Sequence, residues 1–393
     1  MAWSAVKMWT MKHRQRIYLL LLLAAIVFLS VISSFQPQLF LLRDAKIGSS
    51  PSVYNNIKLS QVLFTTPVFQ NLPDIQHYQN YITIGLTIIT GKRQTFSYEF
   101  AYKMKLNLKS LLTFSSGDPL YFVIITDKKS LRESSRILNR LFSQYLSEGV
   151  ITTEWRRMKG MPRLKVSFVD VNEIIKTDVK FFEAMKNNSL QGNDPRASYT
   201  ESLFYIAPVY HKAFTGLNQI IFLDSKDLEF RSDIGLLHRQ FEKMSSSALI
   251  GIGPDLTPHY RNILSDYITR YPNTSLGLPG PSQGFNSGVV LYQLERMRRS
   301  ELYNYYTSPG GVDELMTKYS YRMFLAEQDW LTNLGFSHPH LIHNLPCQFN
   351  RQTSIRKVFT KVTSDIGRAS LTLAVTLHHT NLSSGSFHLN TSS

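Results

Sequence analysis

The sequence predicts an α/β fold, a mostly parallel sheet with helices on both faces, preceded by one apolar N-terminal helix. Three observations predict it. Short runs of β-branched and apolar residues recur without polar alternation, as strands buried on both faces require. Segments of helix length separate them, the spacing of right-handed β-α-β units. Finally, 43% hydrophobic residues in 393 positions supply a core large enough to stand without disulfides. It must do so, because Cys347 is the single cysteine and has no intramolecular partner.

From the N-terminus, Ile17 to Phe35 reads IYLLLLLAAIVFLSVISSF, an uncharged run long enough for a bilayer core of about 30 Å. Lys12, Arg14 and Arg16 precede it, whereas the first charge after it is Arg43. The positive-inside bias therefore assigns residues 1–16 to a cytosolic tail, 17–35 to a transmembrane signal anchor and the rest to a lumen or the exterior. A cleaved signal peptide is the competing reading, but the run is longer than the usual apolar segment of one and no A-x-A-like site follows it. Residues 36–79 carry Pro37, Pro51, Pro67 and Pro73 without sustained periodicity and read as a luminal stem.

The strand and helix signals then alternate. Tyr81 to Thr90 (YITIGLTIIT) predicts a strand. Phe96 to Phe114 predicts a helix with Phe100, Met104, Leu108, Leu111 and Leu112 on its apolar face. Leu120 to Thr126 is a second strand, Ser130 to Leu146 a second helix and Leu164 to Val169 a third strand. Ser198 to Phe214 predicts a helix leading into a strand that ends at Asp224, and Leu249 to Ile252 and Gly288 to Tyr292 predict further strands. Sheets of this kind bind ligands beyond the carboxyl ends of their strands.

The net charge of +15 fits nucleic acid, an anionic surface or a phosphorylated small molecule. The cations are scattered along the chain, and the anchor argues against nucleic acid. Sequons at Asn187, Asn273, Asn381 and Asn390 agree with a luminal body. Against this basic background, FLDSKDLEF sets Asp224, Asp227 and Glu229 at the end of an apolar strand. Carboxylates so spaced either converge on a hard divalent cation such as Mn²⁺ or Mg²⁺, which then bridges to substrate phosphates, or form a solvated turn.

QIIFLDSKDLEF, ALIGIGPDLTPHYR, GFNSGVVLYQLERMRRSELY, AEQDWLTNLG and PCQFNRQ, in this order and spacing, resemble the retaining GT-A glycosyltransferases of the glycogenin-like group, and among them the xyloside xylosyltransferases. The resemblance implies a GT-A (Rossmann-like) catalytic domain over residues 80–393. It implies transfer of xylose from UDP-xylose, with retention and Mn²⁺ or Mg²⁺, to a xylosyl-glucose glycan on EGF-like repeats of Notch-type glycoproteins. A glucoside xylosyltransferase, another UDP-sugar transferase of the same fold, and an inactive membrane-anchored binding protein are the alternatives. The anchor and the family together imply an endoplasmic reticulum or Golgi membrane.

The same resemblance assigns residues. Asp224 and Asp227 match the family's D-x-D metal ligands, here DSKD with one extra residue. His379 matches the third ligand and Asn381 a diphosphate or sugar contact, in an H-T-N that replaces the family's H-G-N. Ile89, Thr90 and Gly91 match the nucleotide-binding edge. Asn286 and Ser287 match the donor-sugar or acceptor contacts, flanked by Gly284 and Gly288. Gln328 lies where the family places a glutamine near the anomeric carbon, in an E-Q-D that replaces D-Q-D. Phe349, Asn350 and Arg351 match an acceptor-side segment, and Cys347 a position that the family pairs with a second cysteine. Read without the resemblance, GFNSG is a polar turn before a strand and EQDW an exposed helix face.

Overall fold

Six of the seven strands of the main sheet form where the β-branched runs predict them, and the seventh, Ile342–Asn344, is unexpected. The computed structural model describes residues 67–89, 97–115, 118–147, 157–158, 161–162, 164–190, 202–280, 282–352 and 376–377. The expected tail, anchor and first part of the stem lie outside the described residues, as do Thr90, Gly91, His379 and Asn381. Among the described residues no helix is long and apolar enough to cross a membrane.

The strands are β1 (Ile82–Thr87), β2 (Leu120–Thr126), β3 (Arg157–Met158), β4 (Met161–Pro162), β5 (Leu164–Asp170), β6 (Ile220–Leu223), β7 (Leu228–Glu229), β8 (Ile250–Pro254), β9 (Phe285–Tyr292), β10 (Ile342–Asn344), β11 (Arg351–Gln352) and β12 (Thr376–Leu377). Seven form the main sheet in the order β10-β8-β9-β6-β1-β2-β5. All its pairings are parallel except those of β9, which runs antiparallel to β6 and β8. That reversal positions the site, because it brings the first residues of β9 to the carboxyl end of β6. A small second sheet, β11-β12-β7, sets Leu377 opposite Leu228 and Thr376 opposite Glu229, while β3 and β4 form a hairpin.

Alternation along the buried strands divides the core. In β2, Tyr121, Val123 and Ile125 face one apolar cluster, and Leu120, Phe122 and Ile124 face the other. On the second face lie helices α1 (Tyr98–Phe114) and α2 (Leu131–Ser147). Met104, Leu108, Leu111 and Leu112 of α1 are buried there, as the helical spacing predicts. Ser97 caps α1 by accepting the Phe100 N–H at 3.1 Å. The first face is covered by α3 (Val179–Asn187), α4 (Pro309–Tyr319) and α5 (Glu327–Ser337). Trp330 of α5 is fully buried there, edge-on to Phe181 and Tyr303.

The structure differs from expectation in four further places. The helix expected over 198–214 is, in its described part, two 3-10 turns, Ser202–Tyr205 and Ala207–Val209, and one α-helical turn, Tyr210–Ala213. Pro208 explains the break, since it donates no N–H and its ring opposes a continuous helix. The end of the expected stem, 67–79, packs on the sheet. Phe69 bridges Phe168 of the edge strand β5, and Ile75 is fully buried, which covers an edge otherwise open to pairing. GFNSG is no turn, because Phe285 to Gly288 already belong to β9. EQDW is no exposed face: Gln328, Asp329 and Trp330 are buried and Glu327 is half-buried, because α5 runs beneath β9 instead of along the surface.

Candidate active site

Asp224 leaves β6 with its backbone fixed on both sides. Its N–H donates to the Gly288 carbonyl at 2.9 Å, and its carbonyl accepts the Asn107 side-chain amide of α1 at 2.8 Å. Its Oδ1 then accepts the N–H groups of Lys226 and Asp227, at 2.9 and 3.1 Å. The extra residue of DSKD is therefore taken up in a turn that closes on the carboxylate of Asp224. Asp227 returns close enough to raise the pKa of Asp224 electrostatically, second to burial, while the two N–H bonds oppose the rise. Around Asp227 stand two ammonium groups, Lys103 at 3.4 Å and Lys226 at 3.5 Å, and Lys103 also pairs with Glu99 at 2.9 Å.

Asn286 and Ser287 occupy the start of β9 beside this turn. Asn286 Oδ1 accepts the Gly288 N–H at 3.1 Å and the Asn350 amide at 3.0 Å. Asn350 is 1% exposed, so the 350–352 segment locks β9 from below. Gln352 continues the lock, accepting the Leu256 N–H at 2.9 Å and donating to the Pro254 carbonyl at 2.8 Å. Ser287 donates through its N–H to Gln328 Oε1 at 3.0 Å, and its hydroxyl lies 3.3 Å from both Gln328 Oε1 and Glu327 Oε1. The other end of the Gln328 amide donates to Asp255 at 3.4 Å and to the Tyr260 oxygen at 3.3 Å. Both ends of Gln328 are thus engaged by the chain itself, which fixes the orientation of the amide.

The start of α5 is strained. Ala326 has φ +54° and ψ −122°, a conformation that costs a residue with a Cβ about 1–3 kcal/mol. Asp329, fully buried, holds it by accepting the N–H groups of Phe324 and Leu325 at 2.6 and 2.8 Å and the Tyr260 hydroxyl at 3.0 Å. Gly284 lies against the same tyrosine at φ +104°, where a Cβ would come within 2.1 Å of the ring. Gly284→Ala is therefore expected to cost about 2–4 kcal/mol through positive φ and overpacking. The midpoint of urea unfolding measures it, and an unchanged midpoint would contradict the packing.

The Glu327 carboxyl is strongly shifted. Burial first, and then Asp329 and Asp224, push its carboxyl up from 4.5 to about 8, against its own backbone N–H and the Ser287 hydroxyl. Between those two values the folded chain keeps a proton that the unfolded chain releases, so stability falls as pH rises through the window. Glu327→Gln has no proton to lose. Without added metal it is expected to be about 1–3 kcal/mol more stable than wild type near pH 9 and equal to it near pH 5. Thermal melts at the two pH values decide this.

The structure gathers Asp224, Asp227, Asn286, Ser287 and Gln328 at one end of the sheet. Ile89 leaves β1 at that same end, because β1 and β6 are parallel with Gly85 opposite Phe222. Among the described residues no group of three His, Cys, Asp or Glu side chains is placed to hold a metal ion. Lys103, Asn107, Tyr260 and Glu327 enter the site without having been singled out for it by the sequence. Only the E-for-D exchange before Gln328 offered a signal, and that for Glu327 alone.

No family model matches the chain. Xyloside xylosyltransferase 1 of Homo sapiens is 36% identical to it over 193 residues, 48% of each chain. The xylosyl- and glucuronyltransferase LARGE2s of Danio rerio is 29% identical over 248 residues, 63% of this chain and 27% of that one. The matched region thus spans about half the length of the first of these relatives, and less of the second. The crystal structure of mouse xyloside xylosyltransferase 1, apo form, aligns with a TM-score of 0.61 at 26% identity, over 76% of this chain and 97% of that one. The chain is a homologue of the xyloside xylosyltransferases and is built on their GT-A glycosyltransferase fold.

Proposed function

We propose that the chain is a type II membrane enzyme of the endoplasmic reticulum or Golgi. In this reading it transfers xylose from UDP-xylose, with retention of configuration, to a xylosyl-glucose glycan on EGF-like repeats. The observation that carries a charged donor is the acidic end of β6. Asp224 and Glu327 both have raised pKa values and act on each other electrostatically, while Asp227 draws two lysine ammonium groups. The carboxyls of Asp224, Asp227 and Glu327 outnumber the two ammonium groups beside them, and their hard oxygens suit Mn²⁺ or Mg²⁺. Asp224 and Asp227 would hold the ion with His379, which follows by two residues the strand Thr376–Leu377 paired beside Leu228. When bound, the ion supplies charge neutralisation for a nucleotide diphosphate leaving group.

The remaining work falls to this chain's own groups. Lys103 and Lys226, released from Asp227, face the phosphates. Ser287, Asp255 and Tyr260 fix the Gln328 amide beside the sugar, so that orientation and preset dipoles do most of the catalysis. Ile89, Thr90 and Gly91 border the nucleoside, and Asn286 and Asn381 the sugar or diphosphate.

The test incubates the purified luminal chain with Mn²⁺, a xylosyl-glucoside acceptor and UDP-xylose, UDP-glucose or UDP-glucuronate in turn, with products read by mass spectrometry and NMR. An α-linked xylose added from UDP-xylose is the expected result. Transfer of a different sugar replaces the donor assignment. Absence of any transfer, together with absence of metal-dependent UDP binding by calorimetry, removes the enzyme reading.

A further inference from the structure

At the opposite end of the sheet from Asp224, where β6 begins and β9 ends, the surface opens into a cavity of about 410 Å³. That size lies in the range of about 300–1,000 Å³ common for small-molecule sites. Two neutral polar side chains of its wall are Gln293 and His77. Gln293 is 8% exposed, and among the described residues its amide nitrogen donates only to the Met244 sulfur, at 3.9 Å, a weak acceptor. His77 Nδ1 is buried, with no hydrogen bond among the described residues. The Gln293 amide thus keeps hydrogen-bonding capacity for a polar ligand.

The lining also states what kind of partner fits. Arg299 pairs with Glu295, while Arg296 donates to the carbonyls of Ser245 and Ala248 at 2.7 and 3.3 Å, and Glu242 also lines the cavity. Carboxylates and guanidiniums are equal in number, so an anion gains little there. Around them are neutral planar groups, Gln219 hydrogen-bonded to His238 at 2.9 Å, with Gln293 and His77 beside them. Phe241, edge-on to His238 at 5.7 Å, supplies an apolar wall. Amides, imidazoles and a carboxylate around one aromatic ring match a ligand whose hydroxyls both donate and accept and whose ring presents C–H bonds. We propose that this cavity is a second carbohydrate site, separate from the transfer centre, that binds a neutral pyranose. It goes beyond the transfer reading and does not depend on it.

The experiment uses the purified luminal chain with saturating UDP and Mn²⁺, titrated with methyl β-glucoside or methyl β-xyloside and followed by saturation-transfer NMR. Wild type and Asp224→Asn are expected to bind one of the glycosides alike. Gln293→Leu and, as an exposed companion that leaves the core intact, Glu242→Ala should each weaken binding about tenfold, the loss of one hydrogen-bonding partner. Inorganic phosphate should not compete. The proposal is overturned by no saturation transfer to either glycoside, by binding that Glu242→Ala leaves unchanged, by loss of binding in Asp224→Asn, or by displacement with phosphate. Glycosyl transfer to a free disaccharide acceptor in Glu242→Ala stays at the wild-type rate, which separates failure here from failure of the transfer reading.

Discussion

Asp224→Asn and Asp227→Asn are each expected to lower kcat/KM for sugar transfer by about 10²–10³, the scale on which removing one preset electrostatic group acts, while the fold stays intact. The structure gives the reason for the second half. Asparagine at 224 still presents an oxygen to the N–H groups of Lys226 and Asp227, and its backbone bonds to Gly288 and Asn107 do not involve the side chain. Burial already disfavours the charge of Asp224, so the metal-free variant should melt no lower than wild type. Stabilisation by UDP with Mn²⁺, which follows ligand affinity, should disappear. Wild-type binding should likewise weaken as pH falls through the raised pKa of Asp224, because protons then compete for the carboxylate. Full transfer activity in Asp224→Asn would end the electrostatic reading of this site. A collapsed fold would show instead that the acids are structural.

Asp329→Ala should be the most damaging single change to stability, at about 3–5 kcal/mol, the cost of breaking a buried charged network from one side. Three donors lose their acceptor at once, the N–H groups of Phe324 and Leu325 and the Tyr260 hydroxyl, and Tyr260, like Asp329 itself, is fully buried. Asp329→Asn should recover little, because its amide nitrogen adds a donor where the surroundings already donate. The strain at Ala326 gives the variants a second signature. With the anchor gone, the start of α5 relaxes, Gln328 loses its place against Ser287, and transfer falls even at temperatures where the variant is folded. Urea unfolding and kcat measured on the same samples test both halves. A stable Asp329→Ala variant with normal kcat would mean that the turn holds itself.

How much of this was legible depended on the range of the physics involved. Leu120 to Thr126 is found at the predicted bounds because a strand buried on both faces needs only its own apolar, β-branched residues. The apolar stripe of α1 is legible in the same way, from periodicity alone. The helix expected over 198–214 was misjudged at Pro208, where a local rule was available and outweighed by the surrounding helical residues. EQDW was different. Its polar residues suit an exposed helix, and nothing within the segment reveals that β9 lies above it, that Ser287 meets Gln328, or that Tyr260, distant in sequence, donates to Asp329. The DSKD turn was half legible, since the acids are plain in the sequence. The closing of Lys226 and Asp227 onto Asp224, and the approach of Lys103 from α1, are not.

The sequence by itself determined the alternation of strands and helices, the division of the sheet's residues between two apolar faces, and the acidic end of β6. These follow from hydrophobic period and backbone preference, which act over a few residues. Only the tertiary structure decided that β9 runs antiparallel, that Asn286 and Ser287 therefore stand beside Asp224, and that Glu327 is buried deeply enough to hold its proton to about pH 8. Those outcomes depend on which groups are excluded from water together. Burial and the Coulomb interactions it strengthens belong to the assembled fold, not to any one segment of the chain.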